Sequence, residues 1–326
     1  MQAILAVTVP FFALVLAGYA AARRHVLPES AISGLNAFVL YFALPCMLFR
    51  FGARTPVFDL LNPAVLGVYL IAALLIVFVT ITTSLNERVG LKDAAFGALV
   101  AAFPNTGFMG VPLLVALLGP AAAGPSICLI LADLFVTSSL CIALAQAHAQ
   151  SHGVQGQGSR QALARALRGA LSNPLPWSIA LGALSSATDL ELPGPLDAVV
   201  RMLADAATPV ALFTIGAVLW RAGQHAHTRT PVADYLPVVL IKLFLHPLLV
   251  FVLAAAAHRA GVPLTGFQIT VMTLVAALPS ASNVAILAER YGADNGRIAR
   301  IIMSSTVLAF ITFTALAWGF GIKPTA

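Results

Sequence analysis

Long apolar runs separated by short polar connections dominate the chain. An α-helix needs roughly 20 apolar residues to cross a bilayer, and we place ten such segments along the sequence. They lie at residues 2–21, 31–51, 62–83, 91–118, 121–146, 173–188, 196–220, 235–257, 264–290 and 297–320. The pattern predicts an all-α polytopic membrane protein with ten transmembrane helices.

The fourth segment contains a run that does not suit a continuous helix, Val100-Ala-Ala-Phe-Pro-Asn-Thr-Gly-Phe-Met-Gly-Val-Pro112. Proline removes a backbone donor and clashes with the preceding turn, and glycine relaxes the backbone further. In lipid, such a break is tolerated only where protein or a water-filled cavity covers it. We therefore predict a discontinuous transmembrane helix over residues 91–118 whose gap is a substrate site.

Two short matches relate the first half of the chain to the second. Val100-Ala-Ala-Phe-Pro104 matches Val275-Ala-Ala-Leu-Pro279 at an offset of 175 residues. Ala43-Leu-Pro-Cys-Met-Leu-Phe49 matches Ala207-Thr-Pro-Val-Ala-Leu-Phe213 at an offset of 164. The matches equate span 4 with span 9 and span 2 with span 7, as expected if spans 1 to 5 were duplicated as spans 6 to 10.

Five spans are an odd number, so the second copy enters the membrane inverted. We predict two inverted five-helix repeats, at residues 1–146 and 173–326, joined by a linker at residues 147–172. Matched, proline-broken segments in inverted repeats point to the binding site of a secondary transporter. The two proline-broken spans, 4 and 9, are therefore the predicted crossover helices.

The breaks combine freed backbone amides with uncharged polar side chains. A half-helix that starts inside the membrane carries about half a positive charge at its N-terminus, which favours an anion, most simply a carboxylate. The alternative is that the prolines merely kink packed helices while Ser and Asn bond to neighbouring helices. The candidate substrate-binding residues are Pro104, Asn105, Thr106, Gly107, Pro279, Ser280, Ser282 and Asn283.

Asp133, Lys242 and His246 are ionisable residues well inside predicted spans, where a charged side chain costs at least about 2.5–3.5 kcal/mol unless paired or hydrated. Asp133, in span 5, is a candidate proton or cation carrier or a buried structural hydrogen-bonding group. Lys242 and His246 are four apart in span 8 and share a helix face. Lys242 could pair with Asp133, attract an anion or extend to the cytoplasmic surface, and His246 could be a packed structural residue.

The distribution of charge and the absence of known catalytic motifs narrow the class of protein. The net charge of +6 is spread over the loops, whereas nucleic-acid binding needs clustered basic residues. Twelve Lys and Arg in one set of loops against five in the other predict both termini outside and the linker in the cytoplasm. No phosphate-binding loop, zinc motif or nucleophile elbow occurs, and three cysteines lie at no metal-like spacing. We predict no enzyme, cofactor or metal.

The first break closely resembles the first crossover of the auxin efflux carrier family, which includes plant auxin exporters and many bacterial permeases. The matching residues are Pro104-Asn-Thr-Gly-Phe-Met-Gly-Val-Pro-Leu-Leu114. Supporting matches, which extend the resemblance over the whole chain, are Tyr41-Phe-Ala-Leu-Pro45, Lys242 to His246-Pro-Leu, Ala277-Leu-Pro-Ser-Ala-Ser-Asn283 and Ala288-Glu-Arg-Tyr291.

The resemblance implies the ten-helix fold shared with the bile-acid sodium symporters. In it, spans 1, 2, 6 and 7 form a scaffold, spans 3–5 and 8–10 form a moving transport domain, and homodimers form through the scaffold. Bacterial members, in the inner membrane, are often described as malonate or malate permeases, whereas plant members export an aromatic monocarboxylate. The plant proteins differ after the second proline, so Ser282 and Asn283 take no role from them.

The sequence thus predicts a secondary carrier of a small organic anion that works by alternating access at two crossovers. Because the breaks carry no carboxylate, we expect sodium coupling to be absent or weak, with a proton on Asp133 in its place. A sodium-coupled, bile-acid-like symporter is the alternative within transport. A non-transporting membrane sensor is the alternative outside it.

Overall fold

The computed structural model describes residues 1–150, 168, 171–224 and 230–324, so most of the predicted linker at 147–172 lies outside the described residues. Within these ranges the fold is helical and no β-strand forms. The main helices are α1 (Gln2–Arg23), α2 (Glu29–Ala53), α3 (Pro63–Ser84), α4 (Leu91–Ala102), α5 (Thr106–Leu118), α6 (Pro120–Gln146), α7 (Pro174–Thr188), α8 (Gly194–Gln224), α9 (Val232–Arg259), α10 (Gly266–Ala276), α11 (Val284–Arg290) and α12 (Asn295–Gly319).

Seven of these helices are long and apolar enough to cross a membrane: α1, α2, α3 with the short turn before it, α6, α8, α9 and α12. They correspond to predicted spans 1, 2, 3, 5, 7, 8 and 10, which confirms a multi-pass membrane protein. The predicted sixth span is the 15-residue helix α7. The predicted fourth and ninth spans are each divided, into α4 and α5 and into α10 and α11.

In the part of the chain that the structure describes, four helices contain one π turn, at Val39–Ala43, Thr106–Gly110, Asp133–Thr137 and Ile241–Leu245. In three of them a proline stands two residues after the turn, at Pro45, Pro112 and Pro247. Since proline offers no N–H and crowds the carbonyl four residues earlier, the preceding turn widens. The turn at Asp133 has no such proline. π turns are frequent at functional sites, and three of these four contain candidate site residues.

Helices α1 and α8 approach so closely that only glycine fits at the contact. A Cβ at Gly18 would lie 1.8 Å from the Phe213 carbonyl oxygen, and one at Gly216 would lie 1.8 Å from the Val15 carbonyl oxygen. Each helix therefore offers a glycine to the backbone of the other. Small residues at contacts of this kind drive helix association in membranes, because they let two backbones approach.

Helices α2 and α7 repeat this arrangement. A Cβ at Gly182 would lie 2.4 Å from the Phe49 carbonyl oxygen, and Gly52 faces the α7 backbone in return. Gly18 and Gly182 are 164 residues apart, as are Gly52 and Gly216. This is the offset that relates the sequence matches in α2 and α8, so matched helices make matched contacts.

A buried arginine joins one end of α3, α4, α9 and α12. The Arg297 guanidinium donates from Nε to the Asp234 carbonyl (2.7 Å), from Nη1 to the Asp93 carbonyl (2.8 Å) and from Nη2 to Ser84 Oγ (3.2 Å). Gly97 makes room for it, since a Cβ there would lie 2.6 Å from Nη1. Arg297 is the first residue of predicted span 10 and is one of the twelve Lys and Arg counted for the inner loops. It is only 1% exposed, and the inner loops keep their excess without it.

Candidate functional site

The two helix breaks lie against each other in the interior. The Asn105 N–H donates to the Pro279 carbonyl oxygen (2.8 Å), and the Ala281 N–H donates to the Phe103 carbonyl oxygen (3.0 Å). These reciprocal bonds make a short antiparallel bridge inside an otherwise helical protein. A pair of helices broken at the same depth thus satisfies part of its exposed backbone internally, as a membrane interior requires.

Ser280 completes the bridge opposite Pro104. In a continuous helix, the Val100 carbonyl would accept from the N–H of residue 104, which proline lacks. The Ser280 hydroxyl donates to that carbonyl instead, at 2.7 Å, and the Ser280 N–H donates to Ser305 Oγ of α12 at 3.2 Å. Ser280 therefore fastens the two breaks together, and both of its donors are engaged within the protein.

Four backbone amides at the breaks make no hydrogen bond within the described chain, those of Gly107, Phe108, Ser282 and Asn283. Gly107 corresponds to Ser282, and Phe108 to Asn283, at the offset of 175 residues. The open donors are thus contributed equally by the two breaks. The Asn283 side-chain oxygen is also buried without a partner, so polar groups of both signs are available for a ligand.

Two of the predicted substrate-binding residues of the first break do not have free backbone amides. The Asn105 N–H takes part in the bridge, and the Thr106 N–H donates to the Pro104 carbonyl at 2.8 Å. The Asn105 side chain is only 3% exposed, and its amide group makes no hydrogen bond within the described residues. The Asn105 side-chain amide is therefore available to bind a ligand beside the open backbone amides.

Asp133 is held by two hydroxyl groups in the interior. Tyr69 Oη of α3 donates to one carboxylate oxygen at 2.9 Å, and Thr137 Oγ1 donates to the other at 3.0 Å. All three side chains are buried. Thr137 lies four residues after Asp133, and this helical spacing could have predicted the contact. Nothing in the α3 sequence indicates Tyr69, so the sequence did not predict this partner.

Lys242 is fully buried, which excludes extension of its side chain to the surface. Its ammonium donates to the Ala276 carbonyl at the end of α10 (2.8 Å) and lies 3.1 Å from His246 Nδ1. An electrostatic interaction couples it to Asp133, although the two do not form an ion pair within 4.0 Å. The His246 ring centroid lies 6.0 Å from that of Tyr69. All three predicted ionisable residues thus belong to one buried cluster.

A cleft of about 520 Å³ opens beside α2, α6 and α10. Its lining includes Arg54, Thr55 and Asp59, which follow α2, together with Pro125 of α6 and Gln268 of α10. Among the residues that the structure describes, no three His, Cys, Asp or Glu side chains group as a metal site.

Comparison with known proteins identifies the family. The family description "Membrane transport protein" matches residues 3–317, so the chain belongs to that family, and the resemblance to the auxin efflux carriers is confirmed. A protein of Rhizobium meliloti (strain 1021) named "Putative malonate transporter" is 30% identical over 326 residues, covering 98% of this chain and 96% of that protein.

Two further relatives carry transporter names. "Uncharacterized transporter YfdV" of Escherichia coli (strain K12) is 25% identical over 312 residues, with 95% of this chain and 94% of that protein covered. An "Uncharacterized transporter" of Methanothermobacter thermautotrophicus is 27% identical over 305 residues, with 92% of each covered. The chain is thus a membrane transporter of this family.

Proposed function

We propose that the protein is a secondary transporter of a small organic anion, bound where the two broken helices meet. The observation that carries this proposal is the set of open amides at Gly107, Phe108, Ser282 and Asn283. Amide donors gathered at helix breaks within a membrane suit a carboxylate. Asn105 supplies a further donor and acceptor beside them.

Malonate is the first substrate to test, because one relative of full length carries a malonate transporter's name. Its two carboxylates suit a site with donors on both sides, two amides from each break. Monocarboxylates and larger dicarboxylates complete the panel, since four amides by themselves do not set the length of the ligand.

We further propose an inverted repeat of ten spans in which α1, α2, α7 and α8 form the scaffold. The matched glycine contacts at the offset of 164 residues support this assignment. The remaining helices form the transport domain, and Arg297 joins four of them at one end. Movement of this domain along the cleft beside α2 would expose the site to each side in turn.

The membrane potential determines in which direction the anion can be transported without a coupled cation. One elementary charge crossing 100 mV is worth about 2.3 kcal/mol, and a dianion about twice that. An inside-negative potential therefore drives export of the anion and opposes uptake. Export needs no coupled cation, whereas concentrative uptake of a dianion needs at least two positive charges. We place the chain in a bacterial inner membrane, as a homodimer with sodium-independent export.

The test is transport of radiolabelled malonate by the purified protein in liposomes. An imposed potential that is positive on the side toward which malonate moves is expected to accelerate malonate transport. Replacing sodium by choline is expected to leave the transport rate unchanged. Strict sodium dependence would favour the bile-acid-like symporter instead. Binding of carboxylates without any counterflow would favour the membrane sensor.

A further inference from the structure

The second break leaves main-chain acceptors that the helix itself does not satisfy, and the Ala276 carbonyl is one of them. In a continuous helix the Ala276 carbonyl at the end of α10 would accept from the N–H of residue 280. That N–H, from Ser280, is directed instead to Ser305 Oγ. The Lys242 ammonium of α9 takes the vacated acceptor at 2.8 Å. A positive charge is therefore bound by a carbonyl that the break itself has released.

The first break presents a matching carbonyl. Ala101 corresponds to Ala276 at the offset of 175 residues, and its usual donor, the Asn105 N–H, is engaged by Pro279. The His246 ring lies against the Ala101 backbone, although its Nε2 makes no hydrogen bond of normal geometry. Lys242 and His246 together therefore occupy the space at the ends of α4 and α10.

The charges around this space favour a cation. The C-terminus of a helix carries about half a negative charge, and both α4 and α10 end here. Asp133 adds a carboxylate that is electrostatically coupled to Lys242 and is oriented by Tyr69 and Thr137. Half-helix C-terminal ends and unwound carbonyls are the groups that coordinate sodium in secondary transporters with broken helices.

We propose that the Lys242 ammonium is a tethered cation that occupies a monovalent-cation site at the Ala276 carbonyl, where the ends of α4 and α10 and the Asp133 carboxylate favour positive charge. Because the side chain supplies this positive charge from within the protein, the breaks keep their structure without a dissolved ion. Removing the ammonium opens the site to a cation from solution. This deepens the proposed function by giving its sodium independence a structural cause.

The experiment measures thermal unfolding of the purified full chain in detergent, in chloride salts of sodium, potassium, methylammonium and choline at equal ionic strength. For K242A we expect a saturable rise of the unfolding temperature of about 3 °C or more in sodium, potassium or methylammonium relative to choline. The wild type should unfold at the same temperature in all four salts. No transport is measured, so the result is independent of which anion, if any, is carried.

Two further variants control the experiment. K92A removes an exposed lysine that also donates to a carbonyl, that of Gly292, and should show no difference between the cations. D133N/K242A lacks both the ammonium and the carboxylate, and should lose most of the cation effect. K242Q, which keeps a long side chain, repeats the test with a smaller change in volume.

Selective sodium stabilisation of the wild type would overturn the proposal, because the site would then be open already. Equal unfolding of K242A and K242Q in all four salts would also overturn it. So would failure of both variants to fold in every salt, since an opened cation site should be filled by one of these ions.

Discussion

The Ser280 hydroxyl donates to the Val100 carbonyl at 2.7 Å and so replaces the hydrogen bond that Pro104 cannot make. The proline that opens the first helix is therefore compensated by a side chain from the second. Each break depends on the other, and neither segment could be left unpaired in the membrane interior without an energetic cost.

S280A removes this donor and leaves a buried carbonyl unsatisfied. A buried acceptor without a partner costs about 1–3 kcal/mol, so we expect a lower unfolding temperature and slower malonate transport. Thermal unfolding in detergent measures the first effect, and counterflow in liposomes measures the second. S33A, at an exposed serine of α2, is the matched control and should change neither.

Y69F tests the contact between Tyr69 and Asp133. Loss of the hydroxyl donor should destabilise the protein by about 1–3 kcal/mol, and D133N should do so as well. Because the two groups bond to each other, the double variant should cost less than the sum of the single ones by at least about 0.5 kcal/mol. Additive costs would show that the two residues act independently, and Y41F, at an exposed tyrosine, serves as control.

The glycine contacts predict a steep penalty at two positions. G18A and G216A each place a Cβ 1.8 Å from a carbonyl oxygen of the partner helix, so α1 and α8 must separate. Overpacking costs about 1–3 kcal/mol even in cores that can adjust, and we expect at least this loss of stability. G67A in α3 meets no atom within 4 Å. G67A should leave the stability of the protein unchanged or increase it. This control therefore separates the effect of the helix–helix contact from the effect of helix propensity.

The proposed orientation is tested by labelling single cysteines in cells, with the native cysteines replaced. Glu87 and Glu191 are exposed in loops that the charge count assigns to opposite sides of the membrane. A membrane-impermeant maleimide should label E191C in intact spheroplasts and E87C only after permeabilisation. The reverse pattern would place both termini in the cytoplasm.

The sequence was most informative where proline acts. Pro104 and Pro279 marked both breaks, because a missing N–H and a fixed backbone angle are local properties of the residue. The partners of the freed groups could not be read in the same way. Ser305, Tyr69 and Ala276 join the site only because distant helices pack together, and no local spacing encodes those contacts.

Predictions made from the charged residues were only partly correct, for the same reason. Asp133, Lys242 and His246 stood out because ionisable groups are rare in spans, and the structure brings them into one cluster. Arg201 and Asp205 are four residues apart, a spacing typical of a local ion pair, but Asp205 lies 3.5 Å from Arg50 of α2 instead. Arg297 was counted with the inner loops because its burial cannot be predicted from nearby residues. It depends on the space left by Gly97, which is far away in the sequence.

The central claim, that an organic anion binds where the two breaks meet, is tested most directly by malonate counterflow with N105A. N36A, which changes an asparagine of α2, is measured beside it in the same liposomes with matched protein content and unfolding temperature. We predict that N105A exchanges malonate no faster than protein-free liposomes while N36A exchanges it at the wild-type rate. Wild-type exchange by N105A would contradict the assignment of the site.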